Sequence, residues 1–287
     1  MLTRQSIERL VTLALEEDAP WGDITTETLI PADATASARL VAREPGVFSG
    51  GAVLVGTMLQ ADSRIRTSVL VEDGASFTAG ALLAEISGPA AGVLRGERVA
   101  LNLVQRMSGI ATLTAHYVKA VEGTRARIVD TRKTTPGLRA LERHAVRSGG
   151  GRNHRFSLSD AILAKDNHLA ILAQRGIDLT AALRAARAAV PHTTHIEVEV
   201  DRFDQIEPAL AGGADTIMLD NFTPEQLAQG VALIGGRAVV EASGGVNLET
   251  VRAIAESGVD VISVGALTHS VRSLDLGLDI EVEAPRP

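Results

Sequence analysis

The chain contains no cysteine. That excludes a disulfide framework, thiolate metal ligands and a cysteine nucleophile. Aromatic residues make up 2% of the sequence, with one Trp and one Tyr in 287 residues. Such a chain has almost nothing on which unpaired bases stack. Positive charge is not in surplus: 28 Lys and Arg stand against 35 Asp and Glu, a net charge of -7. A broad nucleic-acid or anionic-membrane surface is therefore not expected. No apolar run reaches the roughly 20 residues that span a bilayer. The N-terminal MLTRQSIERLVTLALEEDAP carries charge throughout and has no small-residue cleavage site after an apolar run, so no signal peptide is expected. These absences fit a cytoplasmic protein. The length, with 45% hydrophobic residues, is enough for one barrel or two domains.

Against this acidic background one stretch stands out, RIVDTRKTTPGLRALERHAVRSGGGRNHRFSLSDAILAKDNH, from Arg127 to His168. Between Arg125 and Arg155 there are nine Arg or Lys and two acids, Asp130 and Glu142. Crowded like charges repel, and they persist best where an anion neutralises them. Arg offers a planar fork for carboxylate or phosphate, and Lys a point charge. Two readings follow. Arg139, Arg143 and Arg147 repeat at helical spacing and suit a solvated helix face. Arg132, Lys133, His154, Arg155 and Lys165 lie outside that helix, at strand ends and in a Gly-rich loop, and suit a pocket for a small polyanion.

The first hundred residues mix helices and strands without regular alternation, an α+β pattern. Apolar spacing predicts a helix over 3–17, capped afterwards by a turn in which Asp23 or Thr25 starts a new element. Strands are predicted over 35–43, 65–71 and 81–87, with a short helix over 53–59. A long apolar-periodic stretch follows over 94–121, with a break or kink expected at Ser108-Gly109. Arg98 lies near its start and reads, on spacing alone, as a solvated helix residue. After residue 125 the rhythm becomes strand–helix, six times over: RIVDT with helix 136–148, AILAKD with 178–189, HIEVEVD with 203–211, TIMLDN with 224–234, AVVEASGG with 247–257, and VISVGA with 268–274. Six such units predict a parallel sheet, closed or open.

In βα barrels the site lies at the C-terminal edge of the strands. That edge carries Arg132, Lys133, Lys165, Glu199, Asp201, Asp220, Asn221, Ser243-Gly244-Gly245 and Gly265. In HIEVEVD, period two places Glu197, Glu199 and Asp201 on one face. Buried acids need partners, either bases or a metal. With Asp220 they suit Mg²⁺ and substrate phosphates; internal pairing with Lys165 or Arg132 explains them equally well. The Gly-rich turns after the last two strands suit phosphate at helix N-termini, or are ordinary tight turns. His144, His192 and His195 have no metal-ligand company and read as surface residues. No P-loop, HExxH, GxSxG or strand-linked GxGxxG pattern occurs.

Taken in order, GDITT (22–26), REPGVFSG (43–50), ERVALNLVQRMSGIAT (97–112), DTRKTTPGLR (130–139), GGGRNHR (149–155), AKDNH (164–168), EVEV (197–200), MLDNF (218–222), EASGGV (241–246) and VGALTHS (264–270) resemble the quinolinate phosphoribosyltransferase (decarboxylating nicotinate-nucleotide pyrophosphorylase) family. The resemblance covers nearly the whole chain. It implies an α/β protein with an N-terminal α/β sandwich domain (1–107, joined by the tail 270–287) and a C-terminal incomplete, open α/β barrel (108–269). It implies Mg²⁺-dependent transfer of phosphoribosyl from 5-phosphoribosyl 1-pyrophosphate to quinolinate, with decarboxylation to nicotinate mononucleotide, in de novo NAD synthesis. It implies a homodimer, or a higher oligomer, in which the N-terminal domain of one subunit covers the barrel mouth of the other. On this resemblance Arg132, His154, Arg155 and Lys165 bind quinolinate, joined by Arg98 of the neighbouring subunit, which reverses the solvated reading of Arg98. Lys133 stands between the two substrates. Glu199 and Asp220 bind the ribose hydroxyls and Mg²⁺, and Ser243, Gly244, Gly265 and His269 hold phosphates. Two rivals remain: a relative with another acceptor, such as nicotinate, and a non-catalytic barrel that binds a dicarboxylate.

Overall fold

Helix α1 (Arg4–Asp18) starts where Thr3 and Ser6 cap each other reciprocally, the Ser6 amide donating to Thr3 Oγ1 at 3.2 Å. The next start is set by Asp23, whose carboxylate accepts the Thr26 amide at 3.0 Å and opens α2 (Ile24–Leu29). The computed structural model describes residues 2–283. Residue 1 and residues 284–287, which the expected domain ranges include, lie outside the described residues. Elements then follow as β1 (Thr35–Ala42), β2 (Gly46–Val47), α3 (Gly51–Ala61), β3 (Arg66–Val69), β4 (Ser76–Phe77), β5 (Leu82–Pro89) and the long α4 (Ala90–Ala120).

The helix is not broken at Ser108-Gly109, where a break or kink was expected: α4 runs as one helix of 31 residues. Gly109 is there for space: a Cβ at that position would collide with the Arg272 carbonyl. Ser108 faces inward, donating to the Ser49 carbonyl at 3.2 Å. Both residues therefore mark close packing, and the helical ladder continues past them.

The second half continues with β6 (Arg127–Val129), α5 (Arg139–Ser148), β7 (Ile162–Ala164), α6 (Asp166–Gln174), α7 (Leu179–Ala189), β8 (Ile196–Val200), a 3₁₀ turn over Phe203–Gln205, α8 (Ile206–Ala211), β9 (Thr216–Asp220), α9 (Pro224–Ile234), β10 (Val239–Ser243), α10 (Val251–Glu256), β11 (Val261–Ser263), α11 (Ala266–His269) and β12 (Leu276–Glu283). Helix α6 was not expected. Its apolar residues form one unbroken run over 169–173, without the polar alternation that marks a helical stripe, and none of its residues is buried. The helix expected at 268–274 is the four-residue α11, and the chain then leaves for β12.

The chain packs as two compact units. Unit 1 comprises 1–115, 134–150 and 268–287. Unit 2 comprises 116–133 and 151–267. This division differs from the expected boundary at 107/108. Helix α5 belongs with unit 1 because Glu142 pairs with Arg106, His144 with Asp73 at 2.6 Å, and Ser148 with Ser49 at 2.9 Å. His144 is thus half-buried and paired rather than a plain surface residue, and Arg143, expected on a solvated face, is buried.

In unit 1 an antiparallel sheet has the order β12-β1-β5-β3. Alternation along β1 buries Ala36, Ala38, Leu40 and Ala42 and turns the residues between them outward. Across the sheet, Ala38 lies opposite Ile280 on one side and Ile86 on the other. Phe48, Leu54, Met58 and Leu83 complete this core. Small residues on β1 let the larger ones on α3 and α4 approach the sheet.

In unit 2 six parallel strands have the order β6-β11-β10-β9-β8-β7. The sheet with its helices is an open α/β barrel, since β6 and β7 end it without pairing to each other. Beside β6 there is a single parallel bridge, Val129 to Arg152. All five positions of β8 are buried, as expected of a strand covered on both faces.

Candidate active site

The C-terminal ends of the parallel strands surround a cavity of about 400 Å³. The strands deliver polar residues at, or just beyond, their C-terminal ends. After β6 come Thr131, Arg132 and Lys133; after β7, Lys165; β8 contributes Glu199; β9 and β10 end in Asp220 and Ser243. His154 and Arg155 arrive on the loop that follows the Arg152 bridge. Register explains the level of each group. Glu199 and Glu241 both lie opposite Met218, and Asp220 lies opposite Ser243 one step nearer the rim. Leu163 and Met218 give the cavity an apolar patch among these charges.

Eight of the expected residues therefore share one cavity: Arg132, Lys133, His154, Arg155, Lys165, Glu199, Asp220 and Ser243. Lys165 Nζ is 2.6 Å from Glu199 Oε2. The expected pairing of an acid with Lys165 is thus present, on a residue that also lines the cavity. Gly244 and Gly265 follow their strands but do not line it. Gly244 has φ +91, and a Cβ there would collide with Asn221 Oδ1; the two strand ends approach too closely for a side chain. The Ser243-Gly244-Gly245 turn does not open a helix, because α10 starts only at Val251. Asp201, expected on the acid face, is exposed and accepts nothing from the cavity's bases; its own amide donates to Gln205 at 2.9 Å. Arg98 is exposed on α4 and His269 is exposed at the end of α11, both in unit 1.

Two buried acids were not expected here. Asp130, directly after β6, accepts the His154 amide at 2.8 Å and Asn153 Nδ2 at 2.6 Å. Glu241 lies 3.6 Å from His154 Nε2, and Glu197 lies 3.0 Å from the same atom. Glu197 was expected to pair with a base, and His154 is that base. Glu241 was legible: period two along VVEAS puts it on the face of Ser243.

Burial disfavours charge on His154, but hydrogen bonds and attraction from Glu197 and Glu241 outweigh it and raise its pKa to about 10. The Arg155 amide, 2.8 Å from Nδ1, favours a lone pair on that nitrogen. A proton on Nδ1 would require that amide to turn away, while the two carboxylates beside Nε2 favour the charged ring. Burial, and then the Glu241 charge, raise the Glu197 pKa against the pull of His154. The three groups each bring a ligand atom within 4.8 Å of the others, close enough for a metal. His154 Nε2 faces one oxygen of each acid, while Glu197 Oε1 and Glu241 Oε1 are buried without a hydrogen-bond partner among the described residues. Arg155 is held below its usual value by burial first and by Arg132 second.

A histidine with a raised folded-state pKa stabilises fully below its unfolded value near 6.5 and loses that stabilisation as pH rises through about 10. Stability should therefore fall from neutral pH toward 10, and His154→Gln should flatten that slope in urea melts. An unchanged slope would mean that His154 is neutral in the fold.

Comparison with known proteins identifies the family. The model of the quinolinate phosphoribosyl transferase N-terminal domain matches residues 23–108, and that of the C-terminal domain matches 110–279. A Mycobacterium leprae protein, "nicotinate-nucleotide pyrophosphorylase [carboxylating]", is 47% identical, over 93% of this chain and 94% of its own. A Bacillus subtilis protein, "probable nicotinate-nucleotide pyrophosphorylase [carboxylating]", is 42% identical, over 96% and 93%. Among solved structures, NadC from Streptococcus pyogenes superposes with a TM-score of 0.93 at 40% identity, over 99% of both chains. With both domain models matched in order and relatives this similar along nearly their full length, the chain belongs to the quinolinate phosphoribosyl transferase family.

Proposed function

We propose that this chain transfers phosphoribosyl from 5-phosphoribosyl 1-pyrophosphate to quinolinate with loss of CO₂, giving nicotinate mononucleotide for de novo NAD synthesis. The observation that carries the reading is the convergence of five bases, Arg132, Lys133, His154, Arg155 and Lys165, on one cavity that also holds Glu199 and Asp220. An acceptor with two carboxylates and a flat apolar ring suits that combination of bases with Leu163 and Met218. A single carboxylate would not call for so many cations, which disfavours nicotinate. A dicarboxylate-binding barrel without chemistry would have no use for Glu199 and Asp220.

In this reading Arg132, His154, Arg155 and Lys165 orient the acceptor's carboxylates. Arg98 of a neighbouring subunit joins them in a homodimer, a role that its exposed position on α4 permits. Lys133 neutralises charge between the two anionic substrates. Glu199 and Asp220 offset positive charge that develops on the ribosyl centre, and Ser243, Gly244, Gly265 and His269 take the phosphates. The oxygen donors of Glu199 and Asp220, on one cavity wall, fit a hard divalent cation such as Mg²⁺. When bound it would neutralise the departing pyrophosphate. The pyridine nitrogen forms the bond to C1 of the ribose as the bond to pyrophosphate breaks. The carboxyl group beside that nitrogen then leaves as CO₂, its bonding pair stays on the ring carbon, and a proton replaces it. No side chain forms a covalent intermediate; alignment supplies much of the rate. No described helix is long and apolar enough to cross a membrane, and a cytoplasmic location is part of the proposal.

The test is CO₂ release from carboxyl-labelled quinolinate with phosphoribosyl pyrophosphate and Mg²⁺, run beside nicotinate. Release that needs both additions, with no nucleotide from nicotinate, is expected. Nucleotide from nicotinate alone would discard the acceptor assignment, and silence in both would leave a binding protein.

A further inference from the structure

Of the two acids inside the basic stretch, Glu142 has no place in the scheme above. It is fully buried in unit 1. Its Oε1 accepts from Arg106 Nη2 at 2.8 Å and Arg106 Nε at 3.1 Å, a forked pair. Its Oε2 accepts the Thr135 amide at 3.1 Å. The same guanidinium also donates to the Thr135 hydroxyl at 3.2 Å, to the Thr268 carbonyl at 2.6 Å and to the Val271 carbonyl at 3.4 Å.

These partners share one property. Thr135 begins the turn that follows Lys133, and Thr268 and Val271 bracket His269. Neither segment has much structure of its own: residues 134–138 form no helix or strand, and His269 ends a helix of four residues. A buried ion pair is a poor way to gain stability, because desolvation offsets its attraction. It is a good way to fix where chain segments go, because an Arg fork holds several acceptors in fixed directions. We propose that Arg106 and Glu142 are positioning residues for the phosphoribosyl donor, one ion pair fixing within unit 1 both the Thr135 turn, which follows Lys133 in the chain, and the His269 turn. The inference rests on the assignment of Lys133 and His269 to the donor's side.

The pair reaches neither His154 nor Lys165, so its loss acts on one substrate. Steady-state kinetics of the full-length wild type, Arg106→Lys, Arg106→Ala, Glu142→Gln and Thr135→Val test this, with melting curves for each. In Arg106→Lys the charge stays but the fork is lost. Its KM for phosphoribosyl pyrophosphate should rise about tenfold or more, with kcat reduced, while the KM for quinolinate stays within about twofold. Glu142→Gln should move the same constants in the same direction. Thr135 is exposed, so Thr135→Val should fold normally and raise the donor KM by about threefold, through the loss of one acceptor. It carries the test if Arg106→Ala does not fold. A donor KM unchanged in active Arg106→Lys and Thr135→Val enzymes overturns the inference alone, as does an equal rise in both KM values. A wild type inactive with both substrates overturns the functional reading and this inference with it.

Discussion

Lys133→Ala should lower kcat by at least about a hundredfold, the usual loss when one group stabilising transition-state charge is removed, while the melting temperature stays close to the wild-type value. Lys133 is exposed at the cavity rim, and its amide donates to Thr131 Oγ1 at 3.0 Å, so the loop is held by backbone that the substitution leaves intact. Its charge sits among other cations, where the Arg132 charge already counts against a proton on Arg155. Without an anion in the cavity, removal of one positive charge relieves part of that repulsion. With both substrates bound the sign reverses, because two polyanions then meet without the cation between them. Lys133→Arg keeps the charge but replaces a point with a planar fork, and should recover only part of the activity. Near-normal turnover in Lys133→Ala, measured by labelled CO₂ release, would remove this residue from the chemistry. Loss of activity together with a lower melting temperature would give it a structural role instead.

The cations of this site were legible because they violate the chain's own trend: a basic run in an acidic sequence needs a counter-anion. The strands were legible by period and the rim residues by position, since each apolar run of the second half ends in a polar residue. What escaped had no such contrast. Helix α6 carries an unbroken apolar run over 169–173 rather than a stripe at helical spacing. Strand β12 pairs with β1 across most of the chain; the family resemblance joined the tail to the first domain, but no local pattern announces a partner that distant. Gly109 reads as a helix breaker in one dimension and is a contact point in three. The buried acids are the more instructive failures. Asp130 and Glu142 look like minor dilution of a basic stretch, yet both are fully buried, and each holds a loop that carries a site residue. Sequence gives the charge count of such a stretch, but which charges face solvent depends on which loops need an acceptor.

Asp130 puts that distinction to measurement. It collects the His154 amide and Asn153 Nδ2, and its own amide donates to the Arg152 carbonyl at 3.1 Å. It thereby anchors residues 152–154, from which His154 and Arg155 enter the cavity. Asp130→Ala strips the acceptor from both donors. Buried groups left unsatisfied cost about 1–3 kcal/mol each, so up to about 2–6 kcal/mol of stability should go, read from urea melts. Asp130→Asn is the sharper variant. The shape is kept and one carbonyl oxygen still accepts, but the new amide turns N–H toward a donor. The loop must shift to relieve that contact. A displacement of about 1 Å at a positioning loop is enough for a hundredfold loss in kcat/KM for quinolinate, although stability falls less than in the Ala variant. Donor binding, which does not use this loop, should be kept. Should Asp130→Asn instead melt and turn over like the wild type, the loop would be held by its other contacts, and His154 would owe its place to Glu197 and Glu241 rather than to the strand end beneath it.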